Sequence, residues 1–180
     1  MTATAMHDFR AAILRELGTA PDVIEPGRLH GRLLALHRTW LTSDGRKAPT
    51  PGPGKKLTPT AGPLAGACIR LAEPERSCIG IAEGIETALA ARCASGVPTV
   101  AAYSAGALAG WHWPPGVQRL VIFADADPAG AAAAQSLKVR AVRAGLSVAV
   151  MTPTTPGADW CDVWSQRSAE AVAAAEGFAQ

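Results

Sequence analysis

Leu120-Val121-Ile122-Phe123-Ala124-Asp125-Ala126-Asp127-Pro128-Ala129-Gly130 is the stretch whose reading decides the fold. Its opening apolar run, β-branched and aromatic, predicts a strand buried on both faces. The run ends in two carboxylates one residue apart. Pro128 suits the first turn of a helix, where its missing N–H costs nothing, and an alanine-rich segment follows. Asp125 and Asp127 keep the strand's period of two, so both can point the same way, about 6–7 Å apart along the chain. Anions so placed repel unless a cation or strong donors lie between them. A hard divalent ion such as Mg²⁺ is the natural occupant. The competing reading is that Asp127 only caps the helix that follows.

Outward from this stretch, short apolar strands alternate with helical segments. Residues 78–82, 99–102, 119–124 and 147–151 read as strands, and residues 85–94, 105–110, 129–143 and 162–175 as helices. Gly96 and Gly145 follow helices as left-handed caps do. The alternation predicts a parallel sheet of about four strands with helices on both faces. Ligands of such sheets gather at the carboxyl ends of the strands. That rule selects Glu83, Ser104, Asp125 and Asp127, and, after the fourth strand, Gly157-Ala158-Asp159-Trp160-Cys161-Asp162. Gly84 would let the backbone approach a phosphate or metal closely. Glu86 reads as a first-turn helix acid. Asp159 suits an N-cap and Asp162 the third helical position, with Asp162 preferred as the one facing the metal site.

The first part of the chain has another texture. Residues 6–17 show helical spacing, residues 21–26 a link, and residues 29–41 one extended strand or two, closing on Asp44-Gly45. Residues 48–63, with Pro49, Pro51, Pro53, Pro59 and Pro63, read as a loop, and residues 66–71 as a further strand. The expected organisation is therefore an N-terminal helix and linker (1–28), a small antiparallel β subdomain with a basic loop (29–73) and an α/β domain (74–180). Arg32, His37, Arg38, Arg46, Lys47, Lys55 and Lys56 make the densest basic stretch and point to nucleic-acid backbone contact. Trp40 offers a face for base stacking. The competing reading packs His37 and Trp40 inside the molecule. Trp111 and Trp113 read as a loop packed on the sheet.

Composition sets bounds. Of 180 residues, 48% are hydrophobic and 18% charged, so the chain is globular. A net charge of +2 does not by itself argue for nucleic acid, so any basic surface must be local. No apolar run reaches the ~18 residues of a membrane span, and the N-terminus lacks a secretory pattern. Cys68, Cys78, Cys93 and Cys161 have no C-x-x-C spacing, which fits reduced thiols in a cytoplasmic protein better than a zinc ribbon.

Ile81-Ala82-Glu83-Gly84-Ile85-Glu86-Thr87-Ala88-Leu89-Ala90, then Phe123 to Gly130, then Gly157 to Asp162 resemble the Toprim domain, in particular the Toprim module of phage and plasmid primases and primase–helicases. The resemblance covers about residues 74–176, and residues 36–56 resemble the β region that precedes the module in those proteins. It implies that Glu83 is a general acid/base and that Asp125 and Asp127 hold Mg²⁺, for which Mn²⁺ substitutes. It also implies that Asp162 or Asp159 is the third acidic position, although Cys161 stands where asparagine is expected. Ser104 matches a small polar position that touches phosphate or orients Glu83. The implied activity is nucleotidyl transfer, RNA primer synthesis on a single-stranded DNA template from nucleotides. The same site on a nuclease cleaves such bonds, and a non-catalytic binding protein is the third reading. A zinc-binding module or a helicase is expected from another chain or a missing part.

Overall fold

The computed structural model describes residues 24–29, 32–40, 42, 48–49 and 55–167. The helix expected over residues 6–17, the Asp44-Gly45 turn, Arg46 and Lys47 lie outside them, as does the chain beyond residue 167. The elements are β1 (Ile24–Leu29), β2 (Arg32–Thr39), β3 (Lys55–Leu57), β4 (Cys68–Ile69), β5 (Cys78–Ala82), α1 (Ile85–Ser95), β6 (Thr99–Ala101), α2 (Ala105–Gly110), β7 (Arg119–Phe123), α3 (Pro128–Arg143) and β8 (Ser147–Met151). A helix, α4, covers residues 160–167.

The strands form one mixed sheet in the order β3-β2-β1-β4-β6-β5-β7-β8. The four strands from β6 to β8 are parallel, as the β-α alternation requires. The remaining strands pair antiparallel, and β4 joins the two parts through the single pair Ile69↔Ala101. The expected antiparallel unit is therefore an edge-to-edge extension of the parallel sheet.

Side-chain alternation places the core. Ile79, Ile81, Leu120 and Ile122 face α2 and α3, against Leu108, Trp111, Ala134 and Leu137. Their strand neighbours Cys78, Ala82, Val121 and Phe123 face the other way, against Ile85, Ala88 and Leu89 of α1 and Trp160 of α4. Phe123 and Trp160 meet edge to face, with centroids 5.3 Å apart. This geometry favours aromatic pairs. Burying both faces explains why these strands read as unbroken apolar runs. Gly80 is required by packing, since a Cβ there would lie 2.6 Å from Thr99 Oγ1 and 2.9 Å from the Phe123 ring.

Four expectations need correction. Residues 21–26 are not wholly a link, because β1 begins at Ile24 and carries Pro26 within a register shift, where a missing donor is tolerated. The loop over residues 48–63 contains β3, whose Lys55 and Lys56 pair with Thr39 and Arg38. The strand expected over residues 66–71 shrinks to Cys68–Ile69, since Gly66 takes a left-handed φ of 78° beneath His112. The last helix starts at residue 160 and not at 162. All four cysteines are reduced, but Cys93 is exposed while Cys68 and Cys78 are buried.

Candidate active site at the carboxyl edge of the sheet

Because β5, β6, β7 and β8 run parallel, the residues that follow them emerge along one edge. Glu83 follows β5 directly, and Gly84 caps α1 with extended backbone (φ −104°). A Cβ on Gly84 would make only ordinary contact, 3.5 Å from Thr87 Oγ1, so packing does not demand glycine there. Asp127 caps α3, accepting from the Gly130 N–H at 2.7 Å, with Pro128 at the helix start. The capping reading of Asp127 and its place in the acid group therefore hold together.

The segment after β7 is tied to the segment after β8. The Ala126 N–H donates to Ala158 O at 3.0 Å and the Gly157 N–H to Ala126 O at 2.7 Å. These bonds bring Asp159 beside Asp125. Asp159 and Asp162 cap α4 reciprocally: the Asp162 N–H donates to Asp159 Oδ1 at 3.0 Å and the Asp159 N–H to Asp162 Oδ2 at 3.1 Å. Asp159, at the cap and not one turn in, is the member of this pair whose charge acts on Asp125.

Asp125 is the electrostatic focus. Its Oδ1 is buried and has no hydrogen-bond partner. Burial pushes its carboxyl up to about 6, and the charges of Glu83, Asp159 and Asp127 push in the same direction. Glu83 is also raised, by burial and then by Asp127, while a hydrogen bond from the Ala105 N–H pulls the other way. Each cause penalises the ionised form, so the group is one that a cation would relieve. An all-oxygen donor set suits Mg²⁺. Among the described residues no three His, Cys, Asp or Glu side chains enclose an ion. Mg²⁺ does not require such a cage, since it usually keeps several waters and takes one or two carboxylates plus substrate phosphates. The residues present fit the ion.

Ser104 follows β6 at the same edge and caps α2, its Oγ accepting from the Ala107 N–H at 3.2 Å. On the antiparallel side, Ala35, His37 and Thr39 of β2 are buried, while Leu36, Arg38 and Trp40 are half-buried on its other face. His37, expected as a nucleic-acid contact, is thus 9% exposed and packs inside. Arg38 lies opposite Lys56 in register, and its guanidinium sits 5.4 Å from the Trp40 ring. Like charges directly across a ladder repel. Trp111 is buried, and Trp113 carries the Arg140 guanidinium at 5.6 Å, in keeping with a packed loop. No described helix is long and apolar enough to cross a membrane.

A parallel α/β sheet with carboxylates gathered past three strand ends has them at the edge where sheets of this class take their ligands. The Toprim-domain family model matches residues 78–170, and the chain belongs to that family. No curated protein matches the sequence. Among solved structures, the fold is similar to the primase fragment of the bacteriophage T7 primase-helicase protein, with TM-score 0.54 and 16% identity over 84% of this chain and 64% of that one. It is also similar to the Aquifex aeolicus primase zinc-binding and RNA polymerase domains, with TM-score 0.53 and 18% identity over 83% and 38%. The DnaG catalytic core gives TM-score 0.51 and 17% identity over 89% and 61%. This chain spans less than two thirds of each of these structures.

Proposed function

We propose that this chain is the catalytic Toprim module of a DNA primase, making RNA primers on single-stranded DNA by Mg²⁺-dependent nucleotidyl transfer. The reading rests on one observation: a buried, unpartnered Asp125 oxygen beside Glu83, Asp127 and Asp159. One or two carboxylates of the group Asp125, Asp127 and Asp159 would hold Mg²⁺ or Mn²⁺, with Asp162 bracing Asp159 through the α4 cap. The ion supplies neutralisation of the charge that develops on phosphate oxygens. Glu83 takes the proton of the attacking hydroxyl at its carboxylate, and its raised affinity for protons suits that task. Gly84 leaves the β5–α1 turn open to an approaching phosphate. Arg38 and Lys56, with Lys55 and Lys47, hold the template backbone, and Trp40 stacks on a base. A zinc-binding module and a helicase act from another chain or segment.

The test is incubation with single-stranded DNA, ribonucleotides and Mg²⁺ or Mn²⁺. New short RNA is expected, and Glu83→Gln and Asp125→Asn abolish it while circular dichroism stays native. Shortened template in place of new RNA would assign the site to cleavage. Template binding with no turnover under either ion would leave a non-catalytic binding protein.

A further inference from the structure

The loop after β8 ends in Thr155-Pro156-Gly157-Ala158. Proline suits the second position of a β-turn, and Gly157 has a φ of 77°, which the third position of a type II turn requires. The closing bond is present, the Ala158 N–H donating to Thr155 O at 3.2 Å. The same turn joins two loops. The Gly157 N–H donates to Ala126 O at 2.7 Å, and the Ala126 N–H donates to Ala158 O at 3.0 Å. Ala126 lies between Asp125 and Asp127, and Ala158 precedes Asp159. Two backbone bonds therefore clasp the Asp125–Asp127 segment to the acid at the start of α4. The clasp works against electrostatics, since carboxylates so gathered repel while no cation lies among them. A Cβ on Gly157 would meet nothing within 4 Å, so glycine serves backbone conformation there and not space.

We propose that Gly157 is a positioning residue, whose left-handed turn sets the clasp on Ala126 and so holds Asp159 at the acid group in readiness for a divalent cation. The proposal rests on the reading of that group as the ion's site, while the clasp itself stands on its hydrogen bonds. Alanine at 157 disfavours the turn. The fraction of molecules with Asp159 in place then falls, and the apparent ion affinity falls by the same factor. Asparagine enters the left-handed region more readily than most side chains and restores part of the affinity.

The deciding experiment titrates the metal-free chain with Mn²⁺ alone and follows water-proton relaxation. The chains are wild type, Gly157→Ala, Gly157→Asn, Asp159→Asn and the double variant Gly157→Ala/Asp159→Asn, each checked for native circular dichroism. Gly145→Ala is the control: Gly145 has a φ of 87° and equally open space, but it precedes β8 at the opposite edge of the sheet. Gly157→Ala is expected to weaken Mn²⁺ binding about fivefold, Gly157→Asn about twofold and Gly145→Ala not at all. In the double variant Gly157→Ala adds nothing to the loss from Asp159→Asn, because the acid it places is gone. Wild-type affinity in Gly157→Ala, an equal loss in Gly145→Ala, or full additivity in the double variant would overturn the proposal. Primers made by wild type alongside any of these results would leave the proposed function standing without it. The expected Mn²⁺ pattern with no primers from wild type would remove the proposed function and keep the role of Gly157.

Discussion

Replacing Asp125 with asparagine is expected to destroy activity and yet stabilise the metal-free protein. Asp125 is raised from an ordinary 3.8 to about 6, so the folded chain binds its proton more tightly than the unfolded chain does. The folded state is therefore favoured by this group at low pH and loses that advantage as pH rises through about 6. At face value the rise is worth about 3 kcal/mol, and the partial exposure of the side chain reduces it to about 1–2 kcal/mol. Asparagine carries no charge to bury. Thermal unfolding at pH 8 in chelator is thus expected to show Asp125→Asn melting about 3–6 °C above wild type. The gap closes below pH 4, where both side chains are neutral. Added Mg²⁺ raises the wild-type midpoint and leaves the variant's in place. An Asp125→Asn midpoint at or below wild type at pH 8 in chelator would refute the reasoning.

Gly130→Ala puts a Cβ 2.8 Å from the Asp125 carbonyl oxygen; it should cost about 1–3 kcal/mol in a denaturant titration and cut primer synthesis by displacing Asp125. Ser77→Gly relieves a φ of 57° in the tight turn between Glu75 and Cys78, at the end of β5 remote from the acids. It should add about 0.5–1 kcal/mol of stability with turnover unchanged. Arg38→Ala and Lys56→Ala should each weaken single-stranded DNA binding across all sequences and lower the salt slope by about 1 in fluorescence anisotropy titrations. Trp160→Ala removes the ring that closes over Phe123 and should destabilise the fold by about 3–5 kcal/mol in the same denaturant assay.

The parallel half was legible because burial on both faces and short βα turns leave few alternatives. Five apolar residues ending in acids before Pro128 are a strand followed by a helix under any nearby register. The acids were legible for the same reason, since parallel strands deliver Glu83 and Asp125 to one edge whatever the details. What the residue types did not carry was backbone geometry. β3 is three residues long among prolines and glycines, and only its pairing with His37, Arg38 and Thr39 defines it. His37 alternates with Arg38 along β2, so a one-residue difference in facing separates a buried side chain from an outward one. The start of α4 at residue 160 puts both Asp159 and Asp162 into one reciprocal cap, an arrangement set by backbone geometry. Tyr103 gave no turn signal, because the residue expected at a left-handed φ is glycine.

Ile69↔Ala101 is the only registered pair joining β4 to β6, and β6 leads straight into the Tyr103 turn. Two further bonds flank that pair, from the Tyr103 hydroxyl to the Leu64 carbonyl and from the His112 N–H to the Gly66 carbonyl. The antiparallel strands are thus joined to the parallel ones by a few scattered long-range bonds in place of a full ladder, and any change in how β4 pairs would be felt first at the turn that follows β6.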